Sequence, residues 1–341
     1  PYILFDHMIN WKNLYEKLSD MKRIVLSTHE NPDGDGLGCA YAMHHIAKKM
    51  NIESKIITAT KFSKQYNFLN QDNCIELYDY SIHYNWIKDA DAAFIFDVGD
   101  FVRLRDVGRA LTENKIYTFN IDHHPSLKNS SFNENYVDTA AAATGEMIYE
   151  FIKKNEINFT KDEAIGVYTA IMTDTGSFRH SNTNSNCHKI AMECIELGVN
   201  SSRVYQSIYE NRTIAQVSIL SELSKNLNFE LDGEFAWFVI DQDLMIKSKA
   251  QSSDVDGFTD FVRTIKGVEV SLMFYQIDNE NCRINFRSKG SYVLNGIAQK
   301  FGGGGHKFAC GAKIQGNINE TISMVTSETK DSILNQRQSN L

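Results

Sequence analysis

Two histidines and four aspartates stand out for chemistry: His29, Asp33 and Asp35 in one run, then Asp97, His123 and Asp174. Each group follows an apolar stretch. RIVLST precedes His29-Glu30-Asn31-Pro32-Asp33-Gly34-Asp35, AFIF precedes Asp97, YTFNI precedes Asp122-His123-His124, and a helical run over 164–173 precedes Asp174. Taken singly, a DxD is most often a solvated turn, a His-His pair a surface or core feature, and Asp97 a helix cap. Brought together, four carboxylates and two imidazoles would repel one another unless cations lay among them. Such a donor set suits Mn²⁺, Fe²⁺, Co²⁺ or Zn²⁺, and its carboxylates also suit Mg²⁺. Six ligands exceed the need of one structural zinc and fit two ions that share a bridging carboxylate. Two ions about 3.5–4 Å apart can clamp a phosphoryl group and activate a water for in-line attack. Pro32 and Pro125 would stiffen the ligand-bearing turns by fixing φ.

The elements that must position these residues read as an α/β fold. Strands are expected over 23–28, 53–58, 90–99 and 115–122, with a helix over 37–50 between the first two. Strands that alternate with helices predict a parallel sheet with helices on both faces. In such sheets ligands bind beyond the carboxyl ends of the strands, so three of the four clusters fall on one rim. Helices follow over 144–155 (Thr144 as N-cap), 161–176 and 186–198, the last two closed by glycine. The stretch 201–227 has neither glycine nor proline and reads as one or two linking helices. Strands over 234–241, 267–278 and 282–290, a glycine-rich turn and a helical tail after Asn319 predict a smaller C-terminal α/β domain with a mixed sheet. The expected boundaries are 1–200, 201–227 and 228–341.

Bulk properties narrow the partners. The net charge of −8 lacks the basic excess that holds long nucleic acid, which argues against long duplex DNA. No apolar run is long enough to cross a bilayer and no secretory signal is visible, so a cytoplasmic protein is expected. The six cysteines are scattered, without a CxxC pair, and are read as reduced thiols. In the C-terminal part, FRSKG and FGGGGH suggest an anion site. Arg287 can grip a phosphate bidentately. Gly302 and Gly303, Gly304, Gly305 offer a backbone that approaches an anion closely, beside His306. Ser177 and Arg179, just after Asp174, are further substrate-side candidates.

At these residues the chain resembles the DHH phosphoesterase superfamily. STHENPDGDGLG, FDVGD, IDHH and TDTGSF match its four motifs, and FRS with GGGGH matches the DHH-associated C-terminal domain. The branch it looks like comprises stand-alone nano-RNases and pAp phosphatases, with soluble cyclic-di-AMP and linear-dinucleotide phosphodiesterases. The resemblance implies one metal on His29 and Asp33, a second on Asp35, His123 and Asp174, and Asp97 between them. It implies His124 on the scissile phosphate, Asp122 orienting a histidine, and Arg287, Ser288 and His306 holding a terminal phosphate or distal nucleotide. The metal would be manganese, with Mg²⁺ or Co²⁺ as alternatives, the substrate short RNA or a small nucleotide, and the protein in some cases a homodimer. Competing readings are a family II pyrophosphatase or polyphosphatase, a RecJ-like single-strand exonuclease, and a non-catalytic nucleotide sensor.

Overall fold

Apolar runs make the first sheet, and its three central strands are almost entirely buried. Its strands are β1 (Arg23–Thr28), β2 (Glu53–Thr58), β3 (Ile75–Leu77), β4 (Ala92–Phe96), β5 (Tyr117–Asp122) and β6 (Glu134–Val137). This computed structural model describes residues 9–124, 131–255 and 257–339; Pro125 lies outside the described residues. The strands run parallel in the order β3-β2-β1-β4-β5-β6. Central parallel strands must be covered on both faces. Ile24, Leu26, Phe94 and Phe119 pack into one core with the helices Gly34–Lys49, Thr144–Lys154 and Lys161–Asp174. Val25, Ile57, Ala93 and Ile95 pack into the other, with Ile87 and Leu111 from the helices Tyr80–Lys88 and Arg105–Glu113. The strand order reverses between β1 and β4, and such a switch point opens a crevice beyond the strand ends. His29 follows β1 and Asp97 follows β4, so the sheet delivers both to that crevice.

Two helices close the other side of the crevice because glycine lets them touch. A Cβ on Gly38 would lie 2.3 Å from the Gly166 carbonyl oxygen, and one on Gly166 would lie 2.3 Å from that of Gly38. This contact joins the helix Gly34–Lys49, which carries Asp35, to the helix Lys161–Asp174, which ends on Asp174.

The first two strands fall where the sequence predicts; the next two are shorter than expected. The short edge strand β3 and the half-buried β6 were not expected. The first of these helices starts at Gly34 because the Asp33 side chain caps it, accepting from the Asp35 and Gly36 amides. Thr144 is not an N-cap: Ala143 holds that position, and Thr144 is the first helical residue.

The chain divides into two compact units at Asn211 and Arg212. The stretch 201–227 spans this division. It is two helices, Ser201–Tyr209 in the first unit and Ile214–Lys225 in the second. The second unit holds β7 (Asn228–Glu230), β8 (Phe235–Ile240), β9 (Val270–Gln276), β10 (Asn281–Ser288), β11 (Gly304–His306) and β12 (Ala309–Gln315). Their order is β11-β12-β10-β9-β8-β7, antiparallel except for β8 beside β9, which gives the mixed sheet expected. On β10, Cys282, Ile284, Phe286 and Ser288 are buried while the residues between them are half-exposed. The tail helix Ile318–Ser339 adds Val325 and Ile333 to the core of this unit.

Candidate metal centre

Asp97 lies at the middle of the cluster. It sits directly after β4 with a left-handed backbone, φ 61°, a strained conformation that recurs at functional sites. Its two carboxylate oxygens face different histidines. Oδ2 is 3.5 Å from His29 Nε2, and Oδ1 is 3.6 Å from His123 Nε2. On the first side, His29 Nε2 is also 3.5 Å from Asp33 Oδ2. On the second, His123 Nε2 is 3.7 Å from Asp35 Oδ2 and 3.5 Å from Asp174 Oδ2. Within His29, Asp33 and Asp97, and within Asp35, His123 and Asp174, the potential ligand atoms all lie within 4.8 Å of one another. All six predicted ligands are thus brought together, in two groups that meet at Asp97.

The histidines are fixed through their other ring nitrogens. His29 Nδ1 lies 2.7 Å from the Glu30 carbonyl oxygen and His123 Nδ1 lies 3.2 Å from that of Ala141. Each Nδ1–H donates to its carbonyl, which aims Nε2 into the cluster, the arrangement that orients metal-binding imidazoles. His124 is set differently. Its Nδ1 is 2.7 Å from Asp122 Oδ1 and 3.3 Å from Asp97 Oδ1, and its backbone amide also donates to Asp122. Asp97, His123 and His124 form a third close group, but Asp122 already engages His124 Nδ1.

Asp35 is fully buried and held by partners that the motifs do not reveal. The Thr144 and Gly145 amides, at the start of the helix Thr144–Lys154, donate to its two oxygens at 2.7 and 2.9 Å. A carboxylate from 109 residues away thus serves this helix terminus, which explains the lack of a local cap. Thr144 Oγ1 reaches Asp97 Oδ1 at 3.4 Å. A Thr-Gly pair at a helix start was the signal in the sequence; its partner could not be read there.

The electrostatics fit cations. Burial pushes the Asp35 carboxyl well above its usual range, and the charges of Asp97 and Asp33 push it further. Burial, then Asp35, does the same to Asp174. Burial opposes charge on His29, yet hydrogen bonds to Asp33 and Asp97 outweigh it and raise the imidazole to about 10. In the same way Asp122 and Asp97 raise His124 to about 11. The buried cluster demands positive charge, either as protons or as bound cations. Its imidazole and carboxylate donors could hold two divalent ions.

The predicted substrate residues divide. On the second sheet, Arg287 pairs with Ala309, and Ala309 with His306, so all three share one face. The Arg287 side chain is half-buried, with Nε 3.8 Å from Asp260. Ser288 does not face out: its buried hydroxyl accepts from the Gly290 and Tyr292 amides and shapes the turn after β10. The glycine run is partly a strand. A Cβ on Gly303 would lie 2.1 Å from the Gly311 carbonyl oxygen, so close packing demands glycine there, whereas Gly304 faces open space. Arg179 is exposed, and its Nε donates to the Gly176 carbonyl in its own turn.

A doubly wound unit with this centre at its switch point, followed by a mixed-sheet unit, is the build of a DHH-type phosphoesterase. The sequence matches the DHH family, N-terminal domain, over residues 23–171 and the DHHA1 domain over residues 234–331. The chain thus carries a DHH N-terminal domain and a DHHA1 domain, and it is a hydrolase. It is 27% identical over 88% of its length to the bifunctional oligoribonuclease and PAP phosphatase NrnA of Bacillus subtilis, covering 92% of that relative. It is 26% identical to the protein of the same name from Thermus thermophilus, over 86% of this chain and 84% of the relative. The fold matches the crystal structure of an exopolyphosphatase-related protein from Bacteroides fragilis, with a TM-score of 0.89 and 21% identity over 96% of this chain and 97% of the other.

Proposed function

We propose that this protein is a two-metal phosphodiesterase and phosphatase that hydrolyses short nucleotides to mononucleotides. Its substrates are short oligoribonucleotides, pAp, or linear or cyclic di-AMP. The observation that carries the reading is the Asp97 carboxylate, with one oxygen toward each histidine of a buried cluster. His29 and Asp33 would hold one ion, Asp35, His123 and Asp174 the other, and Asp97 both. Manganese is the metal the family resemblance implies, and the mixed imidazole and carboxylate donors accept it. When bound, two such ions polarise a phosphoryl group and lower the pKa of a water.

The remaining work falls to the protein's own side chains. Asp122 orients His124 and would favour its protonated form. His124 would then donate a hydrogen bond to a phosphate oxygen and hand its proton to the leaving oxygen. Arg287 and His306, on one face of the second sheet, would bind a terminal phosphate or distal nucleotide, with the open backbone at Gly304 beside them. A ligand gripped at its far end would favour short chains over long ones. The relatives named for oligoribonuclease and PAP phosphatase activity, each matched over most of its length, support this choice of substrate.

The experiment is a substrate panel with Mn²⁺: a diribonucleotide, pAp, pApA, cyclic-di-AMP and pyrophosphate. Cleavage of the nucleotides with little release of phosphate from pyrophosphate supports the reading; preferential pyrophosphate hydrolysis overturns it. Arg287→Ala should raise KM for the short nucleotides roughly tenfold to a hundredfold, since a hydrogen bond to a charged group contributes about 1.5–3 kcal/mol. If the wild type cleaves long RNA as fast as dinucleotides, the length preference is wrong.

A further inference from the structure

The loop that carries His29 and Asp33 is tied to the segment that follows Asp97 by contacts outside the motif residues. The Glu30 amide donates to the Arg103 carbonyl at 2.8 Å. Arg105 grips the Glu30 carboxylate with two parallel bonds, Nε to Oε2 at 2.5 Å and Nη2 to Oε1 at 2.8 Å. Glu30 is therefore held at its amide and at its side chain. Its carbonyl in turn holds His29 Nδ1 at 2.7 Å, and this bond aims Nε2 at Asp33 and Asp97. Arg105 adopts φ 49° and ψ −125°, a conformation that is unfavourable for a residue with a Cβ and persists where surrounding contacts impose it. The motif reading gave Glu30 and Arg105 no role.

We infer that Arg105 is a positioning residue: through Glu30 it fixes the His29 imidazole and so sets the metal affinity of the His29, Asp33 and Asp97 site, leaving the other site untouched. The inference rests on the two-metal reading. The ion pair borders an open cleft of about 680 Å³, and the guanidinium is half exposed. An exposed ion pair contributes little to folding. A bidentate pair still restricts geometry, and groups that orient metal-bound histidines typically govern affinity by about 10–100-fold. The pair is solvent-screened, so the lower end of that range, about tenfold, is expected.

The test is calorimetric Mn²⁺ binding to the metal-stripped full chain, with the melting temperature measured alongside. The step that His29→Ala abolishes identifies the site in question. Arg105→Gln and Glu30→Gln should each weaken that step about tenfold, leave the other step and the melting temperature unchanged, and combine without further loss. Arg105→Lys, which keeps the charge but not the planar fork, should recover part of the affinity. Arg105→Gly relieves the backbone and removes the brace; it should behave like Arg105→Gln. Wild-type affinity in Arg105→Gly or Arg105→Gln, or equal loss at both steps, overturns the inference while a wild type that binds two ions keeps the two-metal reading intact. A wild type that binds fewer than two Mn²⁺ overturns that reading and the inference with it.

Discussion

The two halves of the centre are built from different material. Asp35, His123 and Asp174 lie where two helices touch through glycine and a third points its first amides at Asp35. Asp35 has no exposure to speak of, and Asp174 is three-quarters covered. His29 and Asp33 lie on a turn whose Asp33 side chain is half exposed and whose bracing comes from a solvent-facing ion pair. One half is fixed by the core; the other pairs a buried His29 with a half-exposed Asp33 and is braced by polar contacts that reach the surface. Buried donors that amides pre-orient need little rearrangement to receive an ion, whereas the half-exposed Asp33 side chain loses more freedom as it binds. The half around Asp35 is therefore expected to bind first and more tightly.

Asp97→Asn should have the largest effect, because Asp97 serves both halves. Asparagine keeps the shape and tolerates the left-handed backbone. Hydrolysis should fall at least about 10³-fold, the scale set by losing one preorganised charge-stabilising group, and both Mn²⁺ binding steps should weaken in calorimetry. Weakening of only one step would mean that Asp97 is not shared. His124→Ala comes next, with turnover falling about 10²-fold while both binding steps stay in place. A lost binding step there would make His124 a ligand. Thr144→Pro acts on the rigid half through Asp35 and also removes the hydroxyl that reaches Asp97. Proline is tolerated at the first helical position and removes the amide that donates to Asp35, so Mn²⁺ binding at that half should weaken roughly 10–100-fold. The brace at Arg105 should give the smallest change, confined to the loop half.

Much of this contrast was hidden in the sequence for a physical reason. The candidate ligands were legible because each group follows an apolar strand or helix and metal chemistry dictates its residue types. β1 was legible as a compact apolar run and β2 as a short run ending in Ile56, Ile57 and Thr58. β3, with three residues, and β6, with half-buried positions, carry too little patterning to stand out. The bracing contacts join residues far apart in the chain, Arg105 with Glu30 across 75 residues and Gly145 with Asp35 across 110. Neither spacing leaves a local signal. Thr144 shows the same limit, since its type suggested a cap while a distant carboxylate does the capping. Ser288 and Gly303 were read as substrate contacts from motif membership, but a buried hydroxyl bonded into its turn and a glycine pressed against β12 serve the fold.

The central claim is that two ions, joined at Asp97, are both needed for hydrolysis. The most direct measurement follows cleavage of a diribonucleotide while Mn²⁺ is added stepwise to metal-stripped protein. Turnover should be negligible after the first equivalent, which fills the half around Asp35, and should rise to full rate with the second. Full rate at one equivalent, or undiminished hydrolysis in the presence of a chelator, would contradict it.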